Sequence, residues 1–388
     1  MNLKMLLRFN WVLFASMLAL LACGTVAIWS AGNAREAIFH GMWMNHLFTA
    51  LIGLVLYFLL ALTDYRIVIR FVSPVAYAVS LVLLIAVLAF GSTVYGGRRW
   101  LWFFQPSEIA KLCTLVFLAG MWAWANALEI PLKGLRAFAA FALAATVPAA
   151  LILLEPDLGT TLAFIPAAIA MLVAGDVGRK GVLIAVATGA IAASVVLGAV
   201  YEAEKPGQLP EKREAILSHL PLKPHQVKRV KTFLFPESDP MGAGYNLRQS
   251  LIAIASGGFS GRGIGKGETN RLKYLPSSVS MNDFIFCVWA EETGYAGSLL
   301  LIALYAVLCS AGAWIAWAAA DTAARMLAIG LVTLVFAHAY INMAMCIGLV
   351  PITGLPLPFI SSGRTFLVTM MAALGLLQSI SIHKEEST

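Results

Sequence analysis

A few ionisable side chains interrupt long apolar stretches, and they are the candidates for chemistry. Glu108 and Lys111 are three residues apart, close enough to pair on one helix face. Asp157 lies in Glu155-Pro156-Asp157-Leu158-Gly159-Thr160, and Asp283 opens a later apolar run that also holds Glu291 and Glu292. Charges at membrane depth are costly and are therefore candidates for function. Each has a structural alternative. Glu108–Lys111 reads equally as a structural ion pair, Asp157 and Asp283 as helix N-caps, and the two glutamates as interhelical hydrogen-bonding groups. Residues 257–267 read GGFSGRGIGKG. A nucleotide loop is rejected: Ser260 stands where the first Walker glycine belongs, and Gly267 follows Lys266 where Ser or Thr is required. What is left is a cationic glycine-rich turn whose amides, with Arg262 and Lys266, suit an anion.

The elements that position these groups follow from composition. Of 388 residues, 60% are hydrophobic and 12% charged, against about a quarter charged in soluble domains. Disorder is excluded. A bilayer crossing needs roughly 20 apolar residues. Ten runs qualify, at 11–30, 47–62, 73–90, 108–125, 135–153, 158–174, 181–201, 284–318, 323–347 and 364–382. The fold class is therefore an all-α integral membrane protein of ten transmembrane helices, with residues 1–388 forming one domain. Cys23 sits in a lipoprotein-like box, but its apolar run continues and is expected to stay as a helix. With the N-terminus inside, short inner segments hold ten Lys/Arg and short outer loops four: Arg35, Arg98, Arg99 and Arg364. Both termini are then cytoplasmic. The net charge of +7 is partly this topology signal and gives no support for nucleic-acid binding. The five cysteines form no CxxC pair, no metal-type Cys/His spacing occurs, and His338 reads as an interhelical hydrogen-bonding group.

One segment breaks the pattern. Residues 202–282 form a long outer loop between helices 7 and 8, with twelve Lys/Arg against seven Asp/Glu. Its first half, to about Pro236, suits a mobile flap. Tyr245–Ser256 reads as a short amphipathic helix at the outer leaflet. Residues 348–363, with three prolines and three glycines, predict irregular backbone that must be buried in protein or line a wet cavity.

Together these motifs resemble the SEDS glycosyltransferases (shape, elongation, division and sporulation proteins). Gln105–Lys111 is similar to their QPSE-x-AK signature and Glu155–Thr160 to (E/Q)PDLGT. Asp239–Tyr245 with Gln249-Ser250 resembles DPxGxGY…QS, and 257–276 resembles GGxxGxGxGxG…YLP. Asp283-Phe284 with Ala290–Glu292 is similar to DF…AEE, and 348–358 resembles the elongation-type RodA branch. The order is kept over about residues 10–380. Two stretches depart from the pattern. Met281-Asn282 replace His-Thr, with seven positions rather than five from Pro276 to Asp283, and Ser361–Thr365 replace SYGGS.

The resemblance implies polymerisation of lipid II, an undecaprenyl-pyrophosphate-linked disaccharide peptide, outside the cytoplasmic membrane. It also implies a class B penicillin-binding protein as transpeptidase partner. The essential aspartate of the family maps to Asp283, here the candidate base. Lys111, Arg99, Arg248 and Lys266 are candidates for the pyrophosphate, and Glu108, Asp157 and Gln249 complete the substrate-binding set. A divalent cation, Mg²⁺ or Mn²⁺, is an open addition with no dedicated cage in the sequence. Two other classes compete: a lipid-precursor flippase, which would place its charges at the midplane within inverted repeats, and a non-catalytic scaffold for the transpeptidase.

Overall fold

A computed structural model describes residues 3–33, 39–94, 97–102, 104–155, 157–205, 207–220 and 224–384. Arg35 of the charge count and Pro156 of the 155–160 motif lie outside the described residues. All ten expected runs are helical. They begin with α1 (Trp11–Asn33), α2 (Met42–Leu62) and α3 (Tyr65–Phe90). A hairpin of β1 (Ser92–Val94) and β2 (Gly97–Trp100) follows, a small exception to the all-helical expectation. Next come α4 (Pro106–Ala127), α5 (Leu135–Leu154), α6 (Leu158–Ala174) and α7 (Arg179–Glu204).

The long segment contributes α8 (Pro210–Ser218), α9 (Pro224–Leu234) and α10 (Ala243–Ser256). The chain closes with α11 (Ile285–Trp317), α12 (Thr322–Cys346) and α13 (Arg364–Ile382). Among the described residues nine helices are long and apolar enough to cross a bilayer, and α6, with 17 residues, is shorter. Helices suit this environment because they satisfy their own backbone hydrogen bonds.

The C-terminal α13 is the most enclosed span. It lies along α2 at glycine contacts: a Cβ on Gly375 would stand 2.6 Å from the Tyr57 carbonyl oxygen. The chain ends share one face of the bundle, where Arg8 donates to the Lys384 carbonyl at 2.5 Å and Ser379 to that of Thr63.

α11 is broken at Gly294 (φ 70°, ψ −163°). The glycine-rich turn closes the break. The amides of Arg262 and Gly263 donate to the Glu291 and Glu292 carbonyls at 3.0 and 2.9 Å, and those of Tyr295 and Ala296 donate back to Gly258 and Phe259. Gly261 has to be glycine: its φ is 78°, and a Cβ would meet the Glu292 carbonyl oxygen at 2.1 Å. The Glu291 carboxylate accepts from the amides of Glu268 and Thr269, and Ser30 links the Gly265 amide to Glu292. The turn's amides therefore serve α11, which corrects the expectation that they cradle an anion.

Where the expected flap lies, the described residues form helices. Arg213 and Lys231 both reach Glu204, at 2.8 and 2.7 Å, and seat α8 and α9 on the end of α7. The expected amphipathic helix is α10; it buries Leu247, Ser250 and Ala253 and exposes Leu251 and Ile252.

Gly24 on α1 meets Phe359, itself at φ 66°, so tightly that a Cβ would stand 2.4 Å from the Phe359 carbonyl oxygen. Gly24→Leu is expected to lower stability by about 1–3 kcal/mol through overpacking. Thermal unfolding in detergent reads this; an unchanged midpoint would show that the 348–363 segment yields.

Candidate active site

Alternating helix directions bring five segments that are distant in sequence together at the bundle end opposite the termini. Asp283, half-buried, stands two residues before α11. Phe284 takes the N-cap position and no side chain caps the helix, so the Asp283 carboxylate is not engaged as the expected cap. Its backbone is fixed by Asn342 of α12, whose Nδ2 donates to the Asp283 carbonyl at 2.8 Å and to that of Leu355 at 2.6 Å. Gly354, at φ 73°, lies against the carboxylate; a Cβ there would be 3.4 Å from Oδ2. One residue earlier, the Asn282 carbonyl accepts from Ser361 Oγ at 2.6 Å and its side-chain oxygen from Ser362 Oγ at 3.3 Å. The two stretches that depart from the family pattern thus contact each other beside Asp283.

Around this carboxylate the field is set by Arg229, Arg99 and Asp157. Arg229, on α9, donates Nη1 to the Thr353 carbonyl at 3.1 Å. Arg99, on β2, donates Nε to the Glu155 carbonyl at 3.3 Å. Asp157 caps α6 through Thr160, its Oδ1 accepting from the amide at 3.1 Å and its Oδ2 from the hydroxyl at 2.8 Å. The same Oδ2 accepts from Gln105 Nε2 at 3.0 Å. Asp157 is therefore both the expected cap and a member of the cluster. Gly159 packs where a Cβ would stand 2.8 Å from the Thr353 carbonyl oxygen, which locks the 155–160 motif to the 348–363 segment.

Burial dominates the titration behaviour here. It pushes the Asp283 carboxyl up to about 6, with Asp157 adding to the rise and Arg229 and Arg99 opposing it. It pushes the Glu155 carboxyl up to about 9, helped by Asp157 and opposed by Arg99. Burial also lowers the Arg229 guanidinium, with Arg99 adding to the fall. Glu155 is fully buried, and neither carboxyl oxygen has a hydrogen-bond partner among the described residues. At neutral pH Asp283 is thus mostly ionised and Glu155 protonated.

The other expected site residues are placed differently. Lys111 is enclosed, with Nζ 2.9 Å from Glu108 Oε2 and 2.8 Å from His338 Nε2. It has no open face for a phosphate, so Glu108–Lys111 is a buried ion pair that His338 ties to α12. Arg248 pairs with Glu237 at 2.5 Å. Lys266 stands exposed in the glycine-rich turn, and Gln249 is half-buried on α10. No described contact brings these three to Asp283. Sequence reasoning did not single out Arg229, Gln105 or Glu155. For Arg229 a signal existed: Val227, Val230 and Leu234 give α9 an apolar stripe that predicts a docked helix. Among the described residues no group of three or more His, Cys, Asp or Glu suits a metal ion.

This geometry has relatives. Residues 10–386 match the FtsW/RodA/SpoVE family, described as a cell cycle protein. The chain belongs to that family. The peptidoglycan glycosyltransferase MrdB of Escherichia coli strain K12 is 34% identical over 373 residues, covering 95% of this chain and 92% of MrdB. The peptidoglycan glycosyltransferase RodA of Treponema pallidum is 29% identical, covering 97% and 98%. A solved structure of a peptidoglycan synthase complex that coordinates polymerisation and crosslinking aligns with TM-score 0.73 at 26% identity, covering 98% of this chain and 99% of that one. The rod shape determining protein RodA of Thermus thermophilus shares the fold, with TM-score 0.67 at 23% identity and 98% of each chain covered.

In this FtsW/RodA/SpoVE member a neutral Glu155 can be observed directly. Difference infrared spectra are expected to show a protonated-carboxyl band, assigned by its loss in Glu155→Gln, that persists from neutral pH to about 9. Absence of the band at pH 7 would contradict the buried neutral acid.

Proposed function

We propose that this chain is a peptidoglycan glycosyltransferase of the elongation type. It polymerises lipid II at the outer face of the cytoplasmic membrane, and its termini lie in the cytoplasm. The observation that carries the reading is the placement of Asp283 beside Arg229 and Arg99 under the 348–363 segment. The acceptor sugar's 4-hydroxyl oxygen attacks the anomeric carbon of the donor, and its proton passes to ionised Asp283. The bond from that carbon to the pyrophosphate breaks, and undecaprenyl pyrophosphate leaves. Positioned proton transfer contributes roughly 10²–10⁴-fold. Arg229 and Arg99 replace Lys111 as the groups facing the charge that grows on the leaving group, where fixed positive charge is most effective. Lys111 acts as a positioning residue that joins α4 to α12.

A transpeptidase partner, of the class B penicillin-binding type, is part of the proposal. An apolar cavity of about 730 Å³ lies between α10, α11 and α12. Along α11 it is lined every fourth residue by Ala290, Gly294, Ser298, Ala306 and Ser310, with Ile302 between. Small residues at this spacing let another membrane helix approach closely. The flippase alternative is less well supported, because the break in α11 is filled by the glycine-rich turn and the charged cluster lies at the bundle end.

Asp283→Asn is expected to keep its helix content yet make no glycan polymer from purified lipid II on product gels. Arg229→Gln is expected to slow polymerisation on the order of 10²-fold, whereas Arg248→Gln stays near wild type. The wild-type rate should rise as pH increases through about 6, because the base must be ionised. Polymer from Asp283→Asn at the wild-type rate would defeat the assignment. Ala306→Trp is expected to weaken co-purification with the transpeptidase while leaving helix content unchanged.

A further inference from the structure

On the face that carries the chain ends, far from Asp283, a small cleft of about 100 Å³ opens between α3, α4 and α12. Arg66 and Arg70 line it from α3, Trp122 and Asn126 from α4, and Asp321 from just before α12. A π-turn, Val68–Val72, carries Arg70. Such turns often mark functional positions. Gly120 of α4 packs against this stretch, where a Cβ would stand 2.4 Å from the Ile69 carbonyl oxygen. The cleft's backbone is therefore fixed by helix packing.

Its charges have both signs. Arg66 lies 3.6 Å from Asp64 and over the Tyr65 ring. Arg70 is exposed at the cleft wall. Asp321 accepts from the Tyr65 hydroxyl at 2.5 Å through Oδ2 and from the Ala324 amide at 2.8 Å through Oδ1. A carboxylate offers about four lone-pair sites, and bonds among the described residues take two of them. Outside the cleft, Ile67, Phe71 and Val75 form an exposed apolar stripe along α3. That stripe runs into the apolar part of the bundle surface, so a molecule seated here has a charged head and a greasy tail.

We propose that this cleft binds the headgroup of an aminophospholipid. The phosphodiester sits on Arg70 and Arg66, the primary ammonium donates to Asp321, and the acyl chains lie along Ile67, Phe71 and Val75. Basic pockets between membrane helices bind lipid headgroups on the same physical grounds. The acid in the cleft favours a zwitterionic head with N–H donors over a purely anionic one. It also disfavours a quaternary ammonium, which has no N–H to donate.

Native mass spectrometry of the intact protein in detergent tests this with phosphatidylethanolamine and phosphatidylcholine of identical chains. Phosphatidylethanolamine is expected to bind roughly tenfold more tightly, the lower end of the effect of one charge-assisted hydrogen bond. Arg70→Gln should weaken both lipids about fivefold, as loss of one cation near a headgroup would. Arg136→Gln, an exposed cation on the same face at the start of α5, should change neither. Millimolar inorganic phosphate should fail to displace the lipid. Equal binding of the two lipids, an equal loss in Arg136→Gln, unchanged binding in Arg70→Gln, or full displacement by phosphate would each overturn the proposal. Arg70 is exposed, so its substitution leaves the packed core intact.

Discussion

Backbone that leaves the helix inside an apolar bundle must find a partner for every amide and carbonyl, because no water is there to supply one. This requirement organises the end of the molecule that holds Asp283. The break at Gly294 is tolerated because the glycine-rich turn supplies the missing partners on both sides. The 348–363 segment is tolerated because Asn342, Ser361 and Arg229 reach its backbone or its neighbours'. These same bonds fix the segment on which Asp283 depends. Structural satisfaction and site assembly are therefore one set of contacts.

A second constraint is the cost of charge away from water. The chain meets it in three ways. Lys111 and Glu108 neutralise each other, with His338 completing the contact. Asp157 collects hydrogen bonds from Gln105 and Thr160. Glu155 keeps its proton. Asp283 is held half-buried, raised by burial but kept near the neutral range by two arginines from other elements. That intermediate state suits a group that must gain and lose a proton. Asn282 and Ser362, which both stand in stretches that depart from the family pattern, touch each other through their side chains beside Asp283.

Much of the fold was legible beforehand. Long apolar runs between polar turns leave a chain little choice but helices, so all ten runs emerged with ends shifted by a few residues, apart from α3, which extends back through Arg66 and Arg70. Those arginines looked like loop because charge ends an apolar window, yet near a helix end their heads can reach the interface while the backbone stays helical. The long segment was harder. Polar, proline-dotted sequence suggested a flap up to Pro236, while α8 and α9 are held by Glu204, whose partners come from both.

Sequence alone determined the membrane class, the number of apolar runs and the identity of the residues able to carry charge, because hydrophobicity and charge are properties of single positions and short windows. Only the tertiary structure decided which charges share a site. It withdrew Lys111 into an ion pair, left Arg248 paired with Glu237 and Lys266 exposed, and brought Arg229 across from the loop to face Asp283. The physical reason is that a side chain's field and protonation are set by burial and by neighbours within a few ångströms, and around Asp283 those neighbours come from other elements of the chain.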